Sequence, residues 1–159
     1  MTQPVSYANL EIRLQKRESA GYPVELTLND QRQFRRGYLN PDALLTWQSS
    51  FSIQEDGQRL FQALTSDANI NAAWAEVRGD SKNRFRIRLR IDLEAPELHP
   101  LPWECLCNTD APPIIFAADK ATPFSRYLAD TSRSFTVLPP EQTIKLLAVI
   151  ADPEAVSYT

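Results

Sequence analysis

Two segments near the start of the chain alternate apolar and polar residues, as a half-buried β-strand does. They span 10–15 (LEIRLQ) and 24–28 (VELTL), and in each the apolar side chains would share one face. Turn-forming residues at 18–23 lie between them, so the pattern predicts a β-hairpin. A third, weaker strand is expected within 32–39.

The most regular alternation lies at 84–93. It predicts a strand of fixed register, because a slip of one residue would exchange its apolar face and its basic face. The apolar face comprises Phe85, Ile87, Leu89, Ile91 and Leu93. The basic face comprises Arg84, Arg86, Arg88 and Arg90, together with Asp92.

Residues 55–78 carry apolar side chains at three- and four-residue spacing, which predicts two α-helices. Asp67 or Asn69 is expected to be the N-cap of the second helix, and Gly79 its C-cap residue. A shorter helix is expected to begin at Pro41. Its inward-facing residues would be Leu44, Leu45 and Trp47.

Prolines recur in the last third of the chain and separate short elements, namely strands at 114–117 and 124–128 and a linker at 131–141. The final apolar run, 144–151, suits a strand that is buried on both faces, as in a parallel sheet covered by helices. Because only eight residues follow this run, we expect the chain to be the front part of a longer polypeptide. The predicted fold class is α+β, with an antiparallel or mixed sheet and two to three helices.

Composition narrows the class of protein. The chain has 159 residues, of which 43% are hydrophobic, and its net charge of -3 argues against a chain dedicated to nucleic acid. No apolar stretch is long enough for a transmembrane helix, and the first residues do not resemble a secretory signal. Two cysteines are too few for a disulfide framework, so a cytoplasmic location is expected.

His99 and Cys105 are the pair that could form a nucleophilic dyad, in which the imidazole would accept the thiol proton. His99, however, lies in a proline-rich connector, and Cys105 and Cys107 suit the role of small buried residues. These three residues also fall short of the four ligands that structural zinc requires. We therefore predict no catalytic residue, no metal site and no cofactor in this chain.

The basic face of 84–93 is the best candidate for a binding surface, either for nucleic acid or for an acidic peptide. Three further arginines could enlarge it into a patch, namely Arg32, Arg35 and Arg36. The alternative is a solvated face whose arginines pair across strands with Glu11, Glu25 or Asp92. The acidic balance of the rest of the chain favours this alternative.

The segment Leu101-Pro102-Trp103-Glu104 resembles a motif of bacterial CHAT-domain proteins, L-x-x-L-P-W-E-L-L, with Cys105 in place of a usual leucine. Three further landmarks follow in the order that the family shows. They are the apolar residues 114–117, the T-P-x-x-R-Y-L pattern at 122–128, and a proline-rich connector before an L-x-x-L-V-V-I-A-x-P pattern at 144–153.

CHAT-domain proteins are similar to caspases and separase, which are cysteine peptidases with a histidine and cysteine dyad. The resemblance implies that 1–140 form a non-catalytic accessory region, and that 141–159 form the end of a linker and the first strand of a caspase-like α/β domain. The family's H-G and A-C motifs do not occur here, so the chain alone is expected to be inactive. The expected partner is the remainder of the polypeptide or another protein subunit, with no membrane and no nucleic acid. The parent protein is expected to cleave a protein target in a bacterial defence or cell-death response.

Within this resemblance, the motif residues suit a structural role. Pro102 suits the first turn of a short helix, and Trp103 would bury its ring against the sheet. Glu104 would lie near the helix N-terminus, where the dipole favours a carboxylate. Arg126, followed by Tyr127 in the family pattern, is the expected partner of Glu104. Two other functions stay open: a stand-alone protein-interaction module, and a weak nucleic-acid-binding domain that uses the arginine-rich strand.

Overall fold

The computed structural model describes residues 7–45, 47, 50, 52–82 and 84–128. Its sheet begins with the predicted hairpin, in which β1 (Ala8–Leu14) and β2 (Tyr22–Leu28) are antiparallel. The predicted weak strand at 32–39 is two short strands, β3 (Arg32–Gln33) and β4 (Gly37–Leu39), and both pair with β2.

Two parallel pairings complete the sheet. β5 (Phe85–Ile91) lies parallel to β1, and β6 (Phe124–Leu128) lies parallel to β5. The strand order is β3-β2-β1-β5-β6, with β4 also on β2. The α+β prediction with a mixed sheet is therefore confirmed, and the predicted strand at 124–128 is confirmed with it.

Three α-helices lie in the described chain: α1 (Asp42–Leu45), α2 (Ile53–Thr65) and α3 (Ala68–Ser81). Of the two predicted N-caps for α3, Asp67 is the one used. Its carboxylate accepts from the backbone N–H groups of Asn69 at 2.8 Å and Ile70 at 3.2 Å. The same carboxylate accepts from the N–H of Tyr38 in β4 at 3.1 Å, so one side chain both starts the helix and joins it to the sheet.

The two faces of the sheet differ as the alternation predicts. Buried side chains of β1, β2 and β5 contact the helices on one face, and they include Leu10, Ile12, Val24, Leu26, Phe85 and Ile87. The other face, which we call the open face, is polar. It carries Glu11, Arg13, Glu25, Arg86, Arg88, Arg90 and Tyr127.

Gly79 is not the C-cap of α3, and that prediction is wrong. The helix continues to Ser81, and Lys82 adopts the left-handed conformation (φ 51°) and donates its N–H to the carbonyls of Arg78 and Gly79. The prediction that Leu93 shares the buried face is also wrong, since its exposed fraction is 59%. The strand ends at Ile91 because the chain then turns, with the N–H of Ala95 donating to the carbonyl of Asp92.

The predicted strand at 114–117 is a single bridge, Cys107 to Ile115, followed by a 3₁₀ turn at Phe116–Ala118. Pro112 and Pro113 precede it and cannot donate to a β-ladder, which limits pairing there. Two other 3₁₀ turns lie at Pro96–Leu98 and Trp103–Cys105.

The predicted linker at 131–141 and the predicted strand at 144–151 lie outside the described residues, and so does the predicted boundary between 140 and 141. Within the part of the chain that is described, every helix is too short or too polar to cross a lipid bilayer.

Candidate functional site

Trp103 anchors the segment 101–104, which we call the LPWE segment. Its side chain is completely buried, and its indole Nε1 donates to the carbonyl oxygen of Leu98 at 2.8 Å. Pro102 immediately precedes the 3₁₀ turn Trp103–Cys105, with a φ of -80° that proline readily adopts. The turn contacts α2 and β6, so the expected burial of the Trp103 ring is observed.

Gly57 of α2 allows the residues that follow the LPWE segment to approach the helix backbone. The N–H of Cys107 donates to the Gly57 carbonyl at 3.2 Å. A Cβ at residue 57 would lie 1.8 Å from the carbonyl oxygen of Cys105. Gly57 was not among the predicted site residues, although a glycine within a helical pattern is a signal that could have identified it. Glycine weakens a helix, so its presence there points to close packing.

Arg126 holds the LPWE segment against the sheet. Its Nε lies 3.2 Å from Oε1 of Glu104, which is the pairing that the resemblance implied. Its Nη1 also donates to the carbonyl oxygens of His99 at 3.2 Å and Leu101 at 3.3 Å. Because Arg126 belongs to β6, these contacts join the LPWE segment to the last described strand of the sheet.

The cysteines are poorly suited to nucleophilic chemistry. Burial raises the pKa of both thiols, and the carboxylates of Glu104 and Asp56 raise the pKa of Cys105 further. The thiolate is the nucleophile, so a raised pKa lowers the reactive fraction at neutral pH. The ring Nε2 of His99 lies 3.3 Å from the carbonyl oxygen of Asp92. Among the described residues, no group of three His, Cys, Asp or Glu side chains could hold a metal ion.

The arginines of β5 lie on the open face, where Arg88 and Arg90 each have a partner. The guanidinium of Arg88 stacks over the ring of Tyr127 at 5.1 Å, and Nε of Arg90 lies 3.8 Å from the carboxylate of Asp92. Arg84, just before the strand, lies over the ring of Tyr7 at 6.0 Å, whereas Arg86 is exposed.

Acidic side chains are part of the same surface. Arg13 donates to both carboxylate oxygens of Asp92, at 3.1 and 3.0 Å, and lies 4.0 Å from Glu25. The hydrogen bond with Asp92 is the main reason that the pKa of Arg13 is raised. The hydroxyl of Tyr127 donates to Glu11 at 2.6 Å. Positive and negative groups therefore alternate across the open face instead of forming a basic patch.

Arg32 does not join this surface, so it does not enlarge the basic face into the patch that the sequence left open. It lies in register with buried Leu28, on the helix side of the sheet, and pairs with Glu76 and Asp80 of α3. Arg36 pairs with Glu18 at 2.5 Å. The patch could not be excluded from the sequence because the side on which Arg32 lies depends on the register of β3.

The stability of the protein is expected to fall as pH rises from about 10 to about 12, and Tyr127 contributes to this fall. The pKa of Tyr127 is raised to about 12. Burial is the larger cause, and the hydrogen bond to Glu11 is the second. In that pH range the folded protein keeps a proton that the unfolded chain has lost, so raising the pH favours unfolding.

Urea unfolding of the wild type and of Tyr127→Phe at several pH values between 8 and 12 tests this expectation. The Phe variant should lose less stability over the range, and Tyr22→Phe should do the same, because burial raises the pKa of Tyr22 to about 12 as well. An identical pH slope in the wild type and in both variants would contradict the assignment.

The geometry thus supplies a buried tryptophan anchor, a clamp between Arg126 and Glu104, and a charge-paired open face. Comparison of this chain with protein-family models, with curated proteins and with solved structures gives no match in any of the three.

Proposed function

We propose that this chain is the non-catalytic N-terminal region of a CHAT-type cysteine peptidase, and that it packs against and supports a caspase-like core. The resemblance of the LPWE segment and of residues 122–128 to the family supports the assignment. The cytoplasm is the compartment that suits such a protein with two free cysteines.

The edge of the sheet at β6 is the observation that carries the proposal. Among the described strands, β6 pairs with β5 on one side and with none on the other. The N–H of Ile87 donates to the carbonyl of Pro123 at 2.8 Å, and Ile87 is in register with Phe124. In a parallel ladder with this pattern, the amide of Ser125 points towards β5 and the amide of Arg126 points towards the outer edge.

An edge of this kind is a template for a further strand. The strands β1, β5 and β6 are already parallel, so a core built on a parallel sheet could continue the same arrangement. The clamp between Arg126 and Glu104 fixes the LPWE segment beside that edge. In the proposal, the segment therefore positions the edge strand on which the core docks.

The chemistry of the described residues agrees with a supporting role. The Cys105 thiol has a raised pKa, and His99 lies near a backbone carbonyl. The open face offers paired charges, so salt-dependent binding of nucleic acid is not favoured.

A peptidase assay is the first test. The 159-residue chain, incubated with unfolded casein, is expected to give no cleavage. The complete polypeptide that its gene encodes is expected to contain the H-G and A-C motifs and to cleave. Loss of that cleavage on replacing the cysteine of the A-C motif, with Cys105→Ala retaining it, would support the proposal. A complete polypeptide without the two motifs, or cleavage by the 159-residue chain that Cys105→Ala abolishes, would refute it.

Hydrogen exchange tests the proposed edge contact. In the complete polypeptide the amide of Arg126 should be protected about as strongly as that of Ser125, because both would lie in a ladder. The Ser125 amide is the internal control, since β5 protects it in either case. Rapid exchange at Arg126 beside a protected Ser125 would show that the core does not dock on this edge.

A further inference from the structure

The two edges of the described sheet end in different ways. Beside β3 and β4, side chains at the start of α3 bond to backbone groups of the edge. The carboxylate of Asp67 accepts from the N–H of Tyr38 at 3.1 Å, and the side-chain amide of Asn69 donates to the carbonyl of Arg36 at 2.9 Å. Covering an edge in this way prevents further strands from pairing there. Among the described residues, none bonds to the outward amide of Arg126, so β6 is the edge that remains available.

The helix side of β6 is only partly covered. Phe124 packs against the core but is half-buried, whereas Ile87, which is in register with it on β5, is completely buried. Within the described part of the chain, strands lie on both sides of Ile87 but on only one side of Phe124. A strand on the outer side of β6, with apolar side chains on this face, would bury the rest of Phe124, which the hydrophobic effect favours.

We propose that the apolar run 144–151 of this chain is the strand that pairs with the outer edge of β6. Lys145 is its only charged residue, and a run that is apolar on both faces is typical of a strand inside a sheet. β6 ends at Leu128, so the 15 residues 129–143 connect the two. A crossover to a parallel neighbour needs about twelve residues and a hairpin needs fewer, so this connection is long enough for either. The inference rests on the proposed function, because it names the strand that occupies the edge on which the core docks.

A second copy of the chain suits this edge less well. Two-fold pairing of β6 with itself would run antiparallel about the middle of the strand, which is Arg126. The two Arg126 guanidinium groups would then lie close together, and like charges opposite each other destabilise a pair of strands. The run 144–151 brings a single cation, Lys145, near one of its ends.

Hydrogen exchange in the ¹⁵N-labelled 159-residue chain is the test. If the run pairs with β6, the amide of Arg126 should exchange at least about 100-fold more slowly than in an unstructured peptide, as the amide of Ser125 does through β5. The double substitution Ala148→Pro and Val149→Pro removes two adjacent N–H groups, so whichever of them faces β6 is lost. This variant should exchange at least about tenfold faster at Arg126, with Ser125 unchanged.

The chain contains a matched control for the two prolines. Ala155 and Val156 repeat the same dipeptide after the run, so Ala155→Pro with Val156→Pro should leave the exchange of both amides as in the wild type. A second measurement needs no variant at all. Nuclear Overhauser contacts between the Arg126 amide and backbone protons of 144–151 should appear in the wild-type chain.

Three results would overturn the inference. They are rapid exchange at Arg126 beside a protected Ser125 in the 159-residue chain, protection that survives the prolines at 148 and 149, and contacts of the Arg126 amide with β6 of a second copy instead of the run. If the first result came with protection of Arg126 in the complete polypeptide, the proposed function would stand with a different strand at the edge. Rapid exchange at Arg126 in both would contradict the inference and the proposed docking edge together.

Discussion

Replacing Gly57 by alanine is expected to lower the free energy of unfolding by about 3 kcal/mol. The added Cβ would lie 1.8 Å from the carbonyl oxygen of Cys105 and 2.9 Å from Cβ of Cys107. The nearest of these atoms belongs to the backbone, so no change of rotamer relieves the clash. The helix and the residues that follow the LPWE segment must move apart, which also weakens the hydrogen bond from Cys107 N–H to the Gly57 carbonyl. Urea unfolding followed by circular dichroism measures the loss.

Gly79→Ala is the matched control for this variant. Gly79 is also a helical glycine, but nothing lies within 4 Å of the position that its Cβ would take. Alanine there is expected to raise the free energy of unfolding by about 0.5–1 kcal/mol, because it only restricts the unfolded chain and favours the helix. A Gly57→Ala variant as stable as the Gly79→Ala variant would contradict the close contact at Gly57.

Trp103→Ala is expected to lower the free energy of unfolding by about 4 kcal/mol. The ring is completely buried between α2 and β6, so its removal leaves a large cavity. The change also leaves the carbonyl of Leu98 without the indole donor. Since domains of this size are stable by about 5–15 kcal/mol, the variant should unfold at a much lower urea concentration than the wild type.

Two further variants show how much of the loss in stability comes from the buried ring of Trp103 and how much from its hydrogen bond. Trp103→Phe keeps an aromatic ring and should lose about 2 kcal/mol, part of it from the lost indole hydrogen bond, since the carbonyl of Leu98 keeps only the longer contact with the N–H of Leu101 at 3.4 Å. Trp47→Ala removes a half-buried tryptophan that stacks with Arg59 at 4.7 Å, and it should lose only about 1 kcal/mol. A loss at Trp103 no larger than that at Trp47 would contradict the anchoring role of the LPWE segment.

Local patterns in the sequence predicted the elements that depend on near neighbours. The alternation at 84–93 and the cap at Asp67 each require only residues a few positions apart, and both predictions agree with the structure except at Leu93. The error at Gly79 has a local cause too. Helix α3 continues three residues beyond its predicted end at 78, to Ser81, because Lys82 adopts the left-handed conformation that was assigned to glycine.

Contacts between distant segments could not be predicted in the same way. The close approach of Gly57 to Cys105 depends on how a helix and a 3₁₀ turn meet across the fold. A pocket lies beside Trp74, where α3, β5 and residues 108–122 converge. The sequence of any one of these segments does not predict it. The pairing of Arg126 with Glu104 was expected only through the resemblance to a family, since sequence spacing gives no distance between them.

The parallel pairing of β1 with β5 has a consequence for how the molecule is made. Ala8 is in register with Phe85, so β5 follows β1 by a long stretch of chain that contains both long helices. The hairpin of β1 and β2 can form early, but one edge of β1 stays unpaired until β5 has been synthesised. Contacts of such high sequence separation slow folding, because a long loop must close before they form. A nascent chain therefore exposes the apolar face of the hairpin and the unpaired edge of β1 until β5 has been synthesised. Surfaces of this kind aggregate readily, so this is the stage at which chaperone binding should matter most.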